Sequence, residues 1–86
     1  MKFATVFEYG NQHLISDVRP QHREYLSALK EQGKLVASGP FEDDSGALII
    51  YEADTAEDAV ALIEADPFRA AGVFQSYTMK PWRQVF

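Results

Sequence analysis

The chain is predicted to form an α+β fold with elements in the order β-α-β-β-α-β. Three observations predict it. Four segments, at 2–9, 34–41, 47–53 and 73–80, are rich in aromatic and β-branched residues, as strands are. Two segments, at about 17–32 and 54–66, repeat apolar residues at helical spacing. Gly, Pro, Asn and Asp punctuate the joints between them.

Each element has a local reason. "KFATVFEY" puts Phe3 and Phe7 on one side of a strand and Ala4 and Val6 on the other. "GNQH" at 10–13 is a turn or loop. The first helix is expected from about Asp17 to Gln32, with Ser16 or Asp17 as its cap. Pro20 falls in its first turn or just past it, and Gly33 is placed to end it. "KLVASGPF" is the second strand, "EDDSG" a hairpin turn and "ALIIYEA" the third strand. Asp54 and Glu57 have capping-box spacing at the start of the second helix, whose stripe is Ala56, Ala59, Val60 and Ile63. Asp66 is expected to cap a short turn opened by Pro67. "VFQSYTMK" is the fourth strand, and "PWRQVF" an extended tail. This order matches the ferredoxin-like arrangement: a four-stranded antiparallel sheet with both helices on one face.

The arrangement has a consequence. Strand three is apolar on both sides, yet helices cover only one face of such a sheet. The other face is left as an apolar patch that a monomer rarely tolerates. A homodimer packed through the open sheet face resolves this.

Composition narrows the function. At 86 residues the chain suits one domain, 1–86. The net charge is -5, and the eight Lys and Arg are scattered. Nucleic acid and anionic membrane are therefore not expected as partners, since both need a basic surface. There is no cysteine, so disulfides and thiol catalysis are excluded. With no apolar signal core in "MKFATVFEYG" and no long apolar run, a cytoplasmic location is expected. Two histidines without a ligand pair at metal-site spacing point to no metal, and no cofactor is expected.

The residues that draw attention lie where polar groups should not be. Val18, His22, Tyr25, Leu26 and Leu29 fall within a sector of about 100° on the first helix, with His22 near its middle. The stripe of the second helix, carried on by i+3 from Ile63, reaches Asp66. If the two side chains meet, the carboxylate accepts a hydrogen bond from one imidazole nitrogen and leaves the other free as a base. A satisfied core histidine and a plain helix cap fit the same residues, and both readings stay open. Arg19, one turn before His22, could hold an anionic substrate or be a solvated first-turn residue. Ser38 in "ASGPF" could line a cleft, as could Tyr9 at the end of strand one. His13 is expected in an exposed loop.

Arg19-x-x-His22, Gly33, "SGP" at 38–40, Gly46 after an acidic turn, "DPF" at 66–68, "AG" at 71–72 and "KPW" at 80–82 form an ordered set. Together they resemble the YciI-like (YCII-related) family across essentially the whole chain. The resemblance implies a ferredoxin-like fold of the dimeric α+β barrel kind. It also implies an active site pairing His22 with Asp66, with Arg19 and Ser38 near the same cleft. It does not supply a reaction, because most members have no assigned activity. One relative in chlorinated-aromatic breakdown removes chloride from a hydroxylated ring, and muconolactone isomerases share the fold type with a different site. Two expectations follow. The chain is either a cofactor-free enzyme with His22 as general acid/base on a small aromatic or lactone-like ligand, or a non-catalytic binding or interaction module.

Overall fold

Alternation in the first strand organises the molecule. In the computed structural model, which describes residues 1–86, Phe3, Thr5 and Phe7 of β1 (Lys2–Tyr9) are buried, while Val6 and Glu8 are exposed. A 3₁₀ turn (Gln12–Leu14) leads into α1 (Ile15–Glu31). β2 (Leu35–Pro40) and β3 (Gly46–Glu52) form a hairpin, followed by α2 (Ala56–Glu64), the single turn α3 (Pro67–Ala70) and β4 (Phe74–Trp82). The four strands make one antiparallel sheet in the order β2-β3-β1-β4. This is the predicted ferredoxin-like α+β fold.

Register decides what each face carries. Phe3 lies opposite Tyr51, Thr5 opposite Ile49 and Phe7 opposite Ala47, so one face is a continuous buried surface. Leu26 and Leu29 of α1, Ile63 of α2 and Phe68 of α3 join it in a single core. Phe7 and Phe74 stack within it with ring centroids 3.8 Å apart. Truncating one such buried aromatic to Ala typically costs about 3–5 kcal/mol. On the other face Val6 lies opposite Leu48 and Ala4 opposite Ile50, with Val6 and Leu48 both exposed.

The ends of three elements correct the expectations. α1 starts at Ile15, so Ser16 and Asp17 lie inside it and cannot cap it. No side chain caps this end; the carbonyls of Asn11 and Gln12 accept from the N–H groups of Leu14 and Ile15 instead. Pro20 falls in the second turn, where it has no N–H to give back to the helix. At the other end Gly33, with φ of 75°, closes the helix as expected: its N–H donates to Lys30 and that of Lys34 to Leu29. α2 is capped by Thr55 rather than Asp54, because the helix begins one residue later and the Thr55 hydroxyl reaches the Asp58 N–H at 3.1 Å. β4 runs on through Pro81 and Trp82, which were expected in a tail. They pair in register with Phe3 and Lys2, and an edge strand tolerates a proline whose missing N–H would face solvent.

Gly46 has a steric reason to be glycine. A Cβ there would lie 1.8 Å from the Phe7 carbonyl oxygen. The close approach brings the β2–β3 hairpin against the end of β1, and so places Asp44 near the cleft described next.

Candidate active site between α1 and β2

A cleft of about 1100 Å³ opens between α1 and β2. His22 reaches it from α1, because its position on the core-facing stripe turns it toward the sheet while Pro20 and Gln21 stay exposed. The imidazole retains 11% side-chain exposure; the Asp66 carboxylate behind it has none.

These two residues meet. His22 Nδ1 lies 2.7 Å from Asp66 Oδ1 and 2.9 Å from Oδ2. Asp66 also caps α3, its Oδ1 accepting from the Phe68 N–H at 2.9 Å. An ionised carboxylate only accepts, so Nδ1 donates to it and the neutral ring leaves Nε2 unprotonated. Cap and pair are therefore one structure: the turn opened by Pro67 fixes the carboxylate, and the carboxylate fixes the ring tautomer. The Phe68 ring stacks on the imidazole at 3.9 Å and 8°, and Phe74 meets it edge-on at 5.5 Å. The ring plane is thus held by two aromatics as well as by the hydrogen bond. Burying an unpartnered imidazole would cost a few kcal/mol, and Asp66 removes that cost.

Tyr9, Arg19 and Ser38 all line the same cleft, from the end of β1, from α1 and from β2. Asp66 does not line it and touches His22 from behind. Burial raises the Tyr9 phenol above its ordinary range; Asp44 pushes the same way and Arg19 opposes. Tyr25 faces elsewhere, its hydroxyl donating to the Leu62 carbonyl at 2.6 Å and tying α1 to α2. His13 is exposed in the 3₁₀ turn, as expected.

Sequence reasoning missed four contributors. Phe68 was part of a quoted motif, yet nothing local said that its ring would lie on His22. Arg23 and Lys30 line the cleft, and their helical spacing from Arg19 was a readable signal. Asp44 arrives from the hairpin turn with φ of 58°, and only the fold brings it there.

Comparison with known proteins supports the same identity. The model of the YCII-related domain matches residues 1–83. Protein YciI of Escherichia coli O6:H1 is 37% identical over 79 residues, covering 80% of this chain and 81% of that protein. The uncharacterized protein YjpA of Bacillus subtilis is 37% identical over 62 residues, 72% of each chain. Among solved structures, 5-chloro-2-hydroxyhydroquinone dehydrochlorinase (TftG) of Burkholderia phenoliruptrix, in complex with 2,5-dihydroxybenzoquinone, superposes with a TM-score of 0.83. It is 26% identical, over 96% of this chain and 94% of that one. An antibiotic biosynthesis monooxygenase gives a TM-score of 0.58 at 16% identity over 99% of both chains, a likeness of fold alone. Both neighbours share the dimeric α+β barrel fold. With the family model matched along nearly its whole length, the chain belongs to the YCII-related, or YciI-like, family.

Proposed function

We propose that this protein is a small enzyme working without a cofactor. In this reading His22 is a general acid/base oriented by Asp66, and the substrate is a small hydroxylated aromatic or lactone-like compound in the α1–β2 cleft. The observation that carries it is the 2.7 Å contact between His22 Nδ1 and a fully buried Asp66, beside a cleft that His22 lines. Arg19, Ser38 and Tyr9 supply polar contacts to the substrate.

The reaction class is dehydrohalogenation, isomerisation or a related proton transfer. The likeness to TftG, named for removing HCl from a chlorinated hydroxyhydroquinone, supports the first. Loss of HCl balances with one acid/base group. The imidazole moves a proton from a ring hydroxyl to the chlorine-bearing carbon as the ring goes over to its keto form. It then takes the proton of the para hydroxyl, whose electrons form the second C=O and shift the ring double bond as chloride leaves with its bonding pair. No helix is long and apolar enough to cross a membrane.

The test is chloride release from 5-chloro-2-hydroxyhydroquinone, together with turnover of a panel of small lactones. A positioned acid/base contributes about 10² to 10⁴ in rate, and His22→Asn should lose that much with the fold intact. Asp66→Asn should lose less, because Asn still caps α3 and still accepts from the ring. Full activity in His22→Asn overturns the catalytic reading. No turnover, with no ligand found by thermal shift, would favour an interaction module instead.

The enzyme acts as a homodimer through the open sheet face, where Ala4, Val6, Leu48 and Ile50 form adjacent pairs. A specific interface there would bury more than about 1,000 Å². Sedimentation should show a dimer at micromolar concentration and a monomer for Val6→Asp. A wild-type monomer refutes this assembly.

A further inference from the structure

Charge around α1 is sorted in a way the fold does not require. Its cations Arg19, Arg23 and Lys30 fall within about 40° of one another on the helix, and its acids Asp17, Glu24 and Glu31 within another sector about 40° wide, at 100° per residue. The cations line the cleft; the acids do not. None of the three cations is in an ion pair, although the chain carries 13 acidic residues. Arg19 and Arg23 are four apart, a like-charge spacing that destabilises a helix. Ser16 and Ser27 complete the ridge, so beside the His22 imidazole the polar groups that α1 offers the cleft are hydroxyls and cations, with no carboxylate. Across it, Asp44 is the one carboxylate that lines the cleft.

We infer that the cleft binds an organic anion, whose carboxylate or ionised ring hydroxyl is held by Arg19 and Arg23, with Lys30 further along α1 drawing it in. The inference rests on the proposed site and adds the charge of its substrate. A chain of net charge -5 repels anions at long range, so a local cationic wall is what lets one enter. Arg19 and Arg23 flank His22 in sequence and hold the anionic group beside the imidazole; Lys30, about 10 Å further along the axis from Arg23, draws the ligand into the cleft. Asp44, on the facing wall, repels an anion and so biases it toward α1. Guanidinium groups match a carboxylate in shape as well as charge.

The experiment compares 2,5-dihydroxybenzoate with its uncharged analogue 2,5-dihydroxybenzamide by calorimetric titration. The acid should bind about tenfold tighter, as one charge-assisted contact of about 1.4 kcal/mol allows. The triple variant Arg19→Gln/Arg23→Gln/Lys30→Gln should remove that preference. All three positions are exposed, so the fold should survive, and circular dichroism checks it; Lys30→Gln alone should lose part of the preference. Salt of about 0.5 M should weaken the acid and spare the amide. Equal binding of acid and amide overturns the inference. So does an acid that fails to bind at millimolar concentration, or a triple variant that keeps the preference. The imidazole resonances of His22, separated from those of His13 with His13→Asn, report on the underlying site. An acid that binds by charge without moving them upholds the cationic wall and removes the proposed catalytic position.

Discussion

Two pairs of buried polar residues in this protein are built in opposite ways. The His22–Asp66 pair is partnered on its buried side: ring nitrogen Nδ1 to carboxylate, carboxylate to the Phe68 N–H, ring face to Phe68. On the strands beneath, Thr5 and Tyr51 are as deeply buried, and neither hydroxyl has a hydrogen-bond partner in the protein. The difference teaches that burial alone does not mark a site. A buried polar group that the fold equips with an acceptor, a cap and a stacked ring, at the wall of a cleft, is held in one orientation. A buried hydroxyl without a partner costs stability and survives because its ring or methyl fills the core.

The comparison breaks most visibly at Asp66. Replacing it with Ala removes the acceptor of His22, the cap of α3 and a partner of a buried N–H at once. A loss of about 2–4 kcal/mol is expected, a fall in melting temperature on the order of 10–20 °C for a domain this size. Asp66→Asn should lose less than half of that. An Ala variant as stable as wild type would make the pair ornamental.

The alkaline limb comes next. Burial, and then the nearby Asp66 carboxylate, push the Tyr51 phenol far above its ordinary value of 10.0. In the unfolded chain the phenol ionises near that ordinary value, while in the folded protein it stays protonated. The stabilisation from this group is therefore complete below pH 10 and lost as pH rises beyond it. Urea denaturation above pH 10 should show falling stability, and Tyr51→Phe should flatten the slope. Tyr9 and Tyr25, both raised mainly by burial, add smaller contributions of the same sign.

The smallest effects test the other half of the comparison. At neutral pH, Tyr51→Phe should be neutral or stabilising by up to about 1 kcal/mol, since it removes an unpaired hydroxyl and keeps the ring. Thr5→Val, close in shape, should fall within about 0.5 kcal/mol of neutral or be stabilising. A loss above about 1 kcal/mol in either, by urea denaturation, would mean that the hydroxyl has a working partner.

Much of this was legible in the residues themselves. Aromatic alternation in "KFATVFEY" and helical spacing around His22 gave the element order, the buried sheet face and the odd imidazole, because both periodicities are local. Gly33 and the Asp66–Pro67 step were legible for the same reason. A cap or a turn depends on neighbours within a few residues. The cap of α2 was misplaced by one residue because Asp54 and Thr55 are both good caps, and the helix start chooses between them. The end of β4 was misplaced because proline argues against a strand unless the strand is known to be an edge.

What only the tertiary structure decided lies further apart in the chain. His22 and Asp66 are 44 residues apart, and their meeting depends on how α1 packs beside α3 over the sheet. The same packing brings Phe68 onto the imidazole and gathers Tyr9, Arg19, Ser38 and Asp44 around one cleft. Sequence periodicity says which way a side chain leaves its own helix or strand. It does not say what stands opposite, because that is set by strand order, register and packing across the whole core.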